Sequence, residues 1–363
     1  MLYSDGILIF VFCEKQALAA HGGRLLGKPV VVATAPIHAS ALDMLRQVAE
    51  VQIFDPPLIS EDEVAEVVRR LKPAVIIAVR GAEHIGRRVF DADPDLLLVA
   101  RNGIGYERID VRAATEYGVW VTVTPVEELF EATAEHAIAL ILCLARKICQ
   151  ADRDVRKGLW LHEGLLGVSI NNKVVGIVGL GRIGRRIAAK ACALGMDVVY
   201  YSRTRKPELE EALGISYRDL STLLKISDFV VVAVPLTPET ANMIGENELR
   251  LMKRSAYLIN IARGGVVDYN ALVKAVKDGW IAGVALDVFP EEPLPGNSPL
   301  RAFDNVVLTP HIAWFTEDAR RAMAKCLAED VMRVLRCEEP LHPVNKEVRD
   351  KALDKCRRIL KHR

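Results

Sequence analysis

The sequence predicts an α/β protein of two units, a doubly wound parallel sheet and a smaller α/β unit that is discontinuous in sequence. Three observations predict it. Short β-branched runs alternate with amphipathic helical stretches along most of the chain, the pattern of parallel strands joined by helical crossovers. The alternation is interrupted once, by a long central segment that is apolar on nearly every side, and then restarts as six strands. Finally, 363 residues leave room for two domains of about 100–200 residues each.

In order, VVVAT (30–34) reads as a strand, 40–50 as a helix, VQIF as a strand, 60–71 as a helix and AVIIAV (74–79) as a third strand. LLLVA (96–100), a short helix over 110–117 and VWVTV (119–123) close the first unit. The long helix 127–150 has an apolar centre, AEHAIALILCLA, so burial between the two units is expected. From Lys173 the runs VVGIVGL, DVVYYS, DFVVVAVP, AYLINIA, AGVALDVF and NVVLTPH alternate with helices, and the amphipathic stretch 317–336 returns to the first unit. The expected division is 28–126 with 307–337 for the smaller unit and 127–306 for the doubly wound one, with function in the cleft between them. Residues 1–27 fit nothing in the pattern and read as an extension of unclear role. The basic tail, 338–363, reads as a solvated surface segment.

Composition narrows the function classes. Forty-eight Lys and Arg against 47 Asp and Glu leave a formal charge of +1, so no global field favours nucleic acid or an anionic membrane. No apolar N-terminal run approaches the ~20 residues that span a bilayer, and no basic lead precedes it, so neither a membrane helix nor a signal peptide is expected. The 7 cysteines are never spaced CxxC, which argues against a disulfide scaffold and a cysteine zinc site, and for a reducing cytoplasm and no metal.

The segment VVGIVGLGRIGRR places Gly179, Gly181 and Gly184 after a strand and at the mouth of a helix, the context that gives GxGxxG its meaning. Gly179 suits the tight turn, Gly181 the approach of a pyrophosphate, and Gly184 close helix–strand packing. The pyrophosphate would rest on the free amides of Arg182 and Ile183. The next strand ends in Ser202, Arg203, Thr204 and Arg205, where an NAD site usually ends in a carboxylate. Hydroxyls and guanidinium make a phosphate receptor, so NADP(H) is the expected cofactor, with NAD(H) possible.

Arg263 in NIARGGVVD, Glu292 in LDVFPEEP and His311 in LTPHIAW stand where apolar strands end, the edge at which doubly wound sheets bind ligands. The trio suits hydride transfer to a 2-oxo acid: His311 donates a proton, Glu292 stabilises its imidazolium, and Arg263 polarises the carbonyl and holds the carboxylate. GLGRIG, YYSRTRKPE, NIARGGVVD, GWIAGVALDVFPEEP and NVVLTPHI, in that order, resemble the D-isomer-specific 2-hydroxyacid dehydrogenases, and most closely archaeal glyoxylate reductases. The resemblance runs from about Lys28 to Val348. It implies a Rossmann cofactor domain, a flavodoxin-like substrate domain, and reduction of glyoxylate or hydroxypyruvate by a homodimer. Arg263, Glu292 and His311 correspond to the family's catalytic three. Along the glycine turn the resemblance implies cofactor contacts at Gly179, Leu180, Gly181, Arg182, Ile183 and Gly184. Further contacts are implied at Ser202, Arg203 and Thr204, at Pro235, Ile261, Ala262 and Arg263, and at His311 and Ala313, with Asp287 as partner of the nicotinamide carboxamide. The substrate carboxylate is expected on the loop of Arg80, Gly81 and Ala82, with Arg101 near the cleft mouth.

Two departures from the family stand out. Glu107 and Arg108 replace its usual Asp and Asn, which bears on a loop contact. Trp314 follows Ala313 where many glyoxylate reductases carry a small pair, and HxAW resembles the C-terminal binding proteins. Trp314 would fill part of the substrate pocket or join the core. A D-3-phosphoglycerate dehydrogenase, or a module that senses NAD(P) for protein interaction, are the alternatives that these features invite.

Overall fold

The computed structural model describes residues 27–160 and 162–360; the expected N-terminal extension lies almost wholly outside them. Five strands form the first sheet: β1 (Val30–Ala33), β2 (Glu50–Ile53), β3 (Val75–Ala78), β4 (Leu98–Arg101) and β5 (Trp120–Thr122). Helices α1 (Ala39–Val48), α2 (Glu61–Leu71), α3 (Arg87–Ala92) and α4 (Val111–Glu116) connect them. All pairs are parallel, in the order β2-β1-β3-β4-β5, the flavodoxin-like arrangement. β3 reads VIIA and is buried along its whole length, as a strand covered on both faces requires.

Helices α5 (Glu127–Arg146) and α6 (Ile148–Arg156) follow. The long helix expected to reach residue 150 breaks at Lys147, which adopts a left-handed φ of 53°. α5 lies against the second sheet, while its Leu129 and Phe130 pack with Met323 of a later helix between the two units.

The second sheet holds β6 (Val174–Val178), β7 (Asp197–Tyr201), β8 (Ser216–Tyr217), β9 (Phe229–Val232), β10 (Tyr257–Asn260), β11 (Gly283–Leu286) and β12 (Val306–Leu308). Helices α7 (Arg182–Ala193), α8 (Pro207–Leu213), α9 (Leu220–Ile226), α10 (Glu246–Leu251) and α11 (Tyr269–Lys277) cross between them. The parallel order β12-β11-β10-β9-β6-β7-β8 is the doubly wound pattern, and it reverses direction between β6 and β9. Every strand's carboxyl end therefore faces one edge, and a crevice opens there at the switch point. β12 pairs with β11 through Val284↔Val306, so the expected boundary at 306 cuts through a strand of the larger sheet.

α12 (Glu317–Leu335) and α13 (Arg349–Leu360) return to the first sheet. Ala324, Leu327, Ala328 and Val331 of α12 join the core under β1, β3 and β4. The tail departs from the expected solvated segment. Val348, Ala352, Cys356 and Ile359 form an apolar stripe that enters that same core, and Lys355 Nζ donates to the carbonyls of Leu96 at 2.6 Å and Tyr117 at 2.8 Å. Burial pushes the Lys355 ammonium down to about 8, because both partners are neutral carbonyls in a desolvated seat.

Cys337 and Cys356 are disulfide-bonded across 19 residues, which overturns the expectation of wholly reduced cysteines. Spacing alone could not show it, since the pair meets only when α13 folds back. Closing a loop of this length restricts the unfolded chain, so Cys337→Ser is expected to cost about 3 kcal/mol. Denaturant unfolding with and without reductant checks this: wild type should lose the same stability on reduction, and the variant should be insensitive to it.

Candidate active site

The crevice begins at the turn after β6. Gly179 has φ +108°, and a Cβ there would stand 2.6 Å from the carbonyl oxygen of Ala233. At Gly184 a Cβ would approach Gly179 O to 2.0 Å, so only glycine lets α7 start this close to its strand. Space in front of Gly181 is open, and α7 starts there with no side chain capping its first amides. An open cradle of free N–H groups at a helix N-terminus fits a dinucleotide pyrophosphate. Leu180, expected among the cofactor contacts, instead buries its side chain in the core that α5 and α7 form on the second sheet, with Ile138, Ile141 and Ile187. An apolar side chain between two glycines gains more from that core than from a charged ligand, so only the Leu180 backbone is left to border the cradle.

β7 ends without a carboxylate. Ser202 Oγ donates to Thr204 O at 2.6 Å, and Arg203 is exposed with no ion pair among the described residues. Arg205, by contrast, is held bidentately by Glu210 at 2.8 and 2.7 Å, so of the two arginines Arg203 is the one left available. Pro235 sits beyond β9; Ile261 and Ala262 are buried beyond β10.

Three strand ends carry the polar cluster. At the end of β10, Asn260 is buried and clamps the turn that follows: its Oδ1 accepts from Ala262 N and its Nδ2 donates to Arg263 O, both at 3.0 Å. This presents Arg263, whose guanidinium lies so close to Gly105 that a Cβ there would stand 1.8 Å from it. Beyond β11, Glu292 Oε1 accepts from Phe289 N at 2.9 Å, and its Oε2 lies 2.7 Å from His311 Nδ1. His311 itself adopts φ +55°, a conformation costing a non-glycine residue about 1–2 kcal/mol. Asp287 holds it there. This aspartate is fully buried; its carboxylate accepts from Thr309 Oγ1 at 2.7 Å, Ile312 N at 2.9 Å and Ala313 N at 2.9 Å, and its carbonyl accepts from His311 N at 2.8 Å. His136 of α5 reaches Thr309 Oγ1 at 3.1 Å from the other side, and burial lowers its own basicity against the pull of Asp287.

With Nδ1 engaged, His311 Nε2 has no hydrogen-bond partner among the described residues. Burial pushes the Glu292 carboxyl upward, but the His311 hydrogen bond and charge, the Phe289 amide and the Arg263 charge hold it below its ordinary value. A depressed carboxyl contributes stability that is complete above its unfolded value and lost as pH falls through the lowered one. The carboxylate that faces His311 is therefore intact throughout the neutral range.

Comparisons with known proteins agree on one family. Residues 138–313 match the model of the D-isomer specific 2-hydroxyacid dehydrogenase, NAD binding domain. The chain is 46% identical over 330 residues to a glyoxylate reductase of Pyrococcus furiosus, covering 88% of this chain and 96% of that one. The chain belongs to the D-isomer-specific 2-hydroxyacid dehydrogenases. It is 32% identical to the NADPH-dependent glyoxylate/hydroxypyruvate reductase of Sinorhizobium meliloti solved with NADP and malonate, with a TM-score of 0.77 over 88% of this chain and 97% of that one. A Thermus thermophilus protein, TT0316, superposes with a TM-score of 0.80 at 38% identity, covering 87% of this chain and 99% of that one. The dehydrogenase is accordingly an NAD(P)-dependent oxidoreductase acting on 2-hydroxy acids. Among the described residues no helix is long and apolar enough to cross a membrane.

The substrate side of this dehydrogenase departs from expectation. The amides of Arg80 and Gly81, expected to face a substrate carboxylate, donate instead to the buried carboxylate of Glu83, as do Val79 N and Thr34 Oγ1. Of that loop, Ala82 N alone makes no backbone or side-chain hydrogen bond among the described residues. Arg101 is a brace more than a cleft-mouth residue: its Nε and Nη1 donate to the carbonyls of Gly105, Ala78, Val79 and Asn102 at 2.7 to 3.1 Å. Burial pushes its guanidinium down to about 10, which leaves it a cation at neutral pH. Trp314 packs with Leu129, Phe130 and Met323 between the two units and stacks edge-on against Phe315 at 5.3 Å.

Asp287, expected against the cofactor's carboxamide, spends its oxygens on the His311 segment. Glu107, set aside as a loop departure, places Oε1 3.1 Å from Arg263 Nε across the crevice. Nothing in the sequence brings residues 107 and 263 together, whereas the lone His136 within an apolar helix was a visible signal.

Proposed function

We propose that this dehydrogenase reduces glyoxylate or hydroxypyruvate to the D-2-hydroxy acid, with NADP(H) preferred, and works as a cytoplasmic homodimer. The observation that carries the reading is the Glu292–His311 pair at 2.7 Å, beside Arg263, at the strand ends that border the glycine cradle. The backbone from Gly179 through Leu180 to Gly184 holds the dinucleotide, and Ser202, Arg203 and Thr204 take its 2′-phosphate. A nicotinamide bound there supplies the hydride. Arg263 grips the substrate carboxylate and polarises the 2-oxo group, fixing the carbonyl before the cofactor. His311 Nε2 gives its proton to the carbonyl oxygen as the carbon is reduced, and Glu292 balances the imidazolium before that transfer. His311 then regains a proton from water. Half-buried Trp314 lines the pocket wall and limits the side chain the substrate may carry.

The names of the Pyrococcus and Sinorhizobium relatives support the substrate, and the missing carboxylate after β7 supports the cofactor. A 340 nm assay with NADPH and NADH against glyoxylate, hydroxypyruvate, phosphohydroxypyruvate, pyruvate and 2-oxo-4-methylthiobutyrate tests both. Highest kcat/KM for NADPH with either of the first two acids is expected; preference for the thioether acid or the phosphorylated one would reassign the substrate. Light scattering of the purified chain tests the dimer.

Glu107 competes with an anionic substrate for Arg263. Glu107→Gln, which keeps the size and removes the charge, is expected to lower KM for glyoxylate by about 3- to 10-fold, the weight of a partly screened ion pair, while kcat changes little. An increased KM would mean that Glu107 holds Arg263 in its working pose.

A further inference from the structure

Away from the crevice, α12 and the segment that follows it bring together three side chains that the dehydrogenase reaction does not use. Cys326 and Asp330 stand one helical turn apart on α12, and His342 comes from the loop beyond it. His342 Nδ1 lies 3.4 Å from Cys326 Sγ and 3.1 Å from Asp330 Oδ2, and all three atoms fall within 4.8 Å of one another. One ring nitrogen carries one proton or one lone pair. A proton on it serves the Asp330 carboxylate, and the thiol meets the same nitrogen only at the length of a weak sulfur contact, so three atoms able to ligate a metal stand together with little hydrogen bonding to hold the sulfur.

We infer that Cys326, Asp330 and His342 form a binding site for a zinc-like divalent cation, with three protein ligands and water in the fourth position. The distances carry it. Tetrahedral zinc with Zn–S near 2.3 Å and Zn–N and Zn–O near 2.0 Å sets its ligands about 3.5 Å apart for S and N, and about 3.3 Å for N and O. The observed 3.4 and 3.1 Å are close to these spacings. Charge matches as well, since thiolate, carboxylate and neutral imidazole sum to minus two, which the ion cancels in a partly desolvated seat. Binding replaces the thiol proton, which passes to bulk water, and nothing is oxidised or reduced.

The surroundings fit a structural site. Asp330 is buried, and its second oxygen accepts from Leu341 N at 2.5 Å, the kind of support that orients a ligating carboxylate. His342 is 33% exposed, so solvent reaches its ring and an ion has a way in. The loop that carries it runs beside β5: Val344 N donates to Val121 O at 2.8 Å, and Pro343 bridges Thr122. A metal there pins this edge segment to α12, next to the Cys337–Cys356 bond that fastens α13. The spacing C-x3-D-x11-H contains no CxxC, which is why cysteine spacing alone points to no metal.

The test strips the full chain with a chelator, without thiol reductant so that Cys337–Cys356 stays bonded, and titrates cobalt(II). One equivalent is expected to produce a thiolate-to-cobalt band in the near ultraviolet with intense visible bands of a four-coordinate ion, and one equivalent of zinc to bleach both. Zinc should also raise the Tm of the stripped protein by several degrees and leave turnover unchanged. Cys326→Ser should abolish the charge-transfer band, and His342→Ala the four-coordinate spectrum, each with unchanged circular dichroism and no zinc-dependent Tm rise. Absence of the cobalt spectrum in wild type overturns the site. So does a spectrum that survives in both variants, which would move the metal to the adjoining thiols of Cys143 and Cys149.

Discussion

His311→Ala is expected to lower turnover by roughly 10²–10⁴-fold, the contribution of a positioned general acid, while NADPH binding stays intact. The imidazole is held from both ends: Asp287 fixes the backbone in its left-handed turn, and Glu292 fixes Nδ1 at 2.7 Å. Only Nε2 remains for chemistry. Because the Asp287 bonds to Ile312 and Ala313 involve backbone amides, they survive the substitution, so the loop and the cofactor seat should keep their shape. Fluorescence quenching by NADPH and steady-state kinetics on glyoxylate separate the two readouts. Glu292→Gln keeps an acceptor toward Nδ1 without the charge and should lose about 10-fold, the difference between a charge-assisted and a neutral hydrogen bond. An alanine variant at position 311 that turns over at the wild-type rate would sink the assignment.

How much of this was legible in the chain depends on the range over which each feature is determined. β3 and β9 are read directly, because VIIA and FVVV are β-branched or aromatic runs buried on both faces and bounded by turn residues. The glycine turn is equally local: Gly179, Gly181 and Gly184 act within six residues, although which way Leu180 points between them is set by the packing of α5. The polar cluster was legible because parallel strands place all their carboxyl ends on one edge, so Arg263, Glu292 and His311 converge wherever the sheet forms. Features that depend on distant backbone were not. Val348 and, in α13, Ala352, Cys356 and Ile359 make a thin stripe among many basic residues, and only its seat on the first sheet reveals the stripe as core. Glu83 folds back onto the amides of Arg80 and Gly81 through a turn that composition does not specify. Glu107 meets Arg263 across 156 residues, a separation at which pairing follows from domain placement alone.

Ser202→Asp combined with Arg203→Ala should move the ratio of kcat/KM for NADPH over NADH toward NADH by about 100-fold or more. The argument starts from what β7 lacks: no carboxylate ends the strand to take ribose hydroxyls and repel a 2′-phosphate. Ser202 now spends its hydroxyl proton on Thr204 O, and that bond can be exchanged for one to a phosphate oxygen. Arg203 is exposed and unpaired among the described residues, whereas Arg205 is tied to Glu210, whose carboxyl it holds down to about 2. Hydrogen bonds to charged groups contribute about 1.5–3 kcal/mol each, so removing the guanidinium accounts for at least a power of ten. The new carboxylate supplies the rest by facing a dianionic phosphate. Arg205→Ala is the internal control: it should loosen the Glu210–Tyr200 contact and shift the cofactor ratio little. If the ratio follows Arg205 instead, Glu210 is displaced when the cofactor binds, and the phosphate seat lies one turn further along the loop.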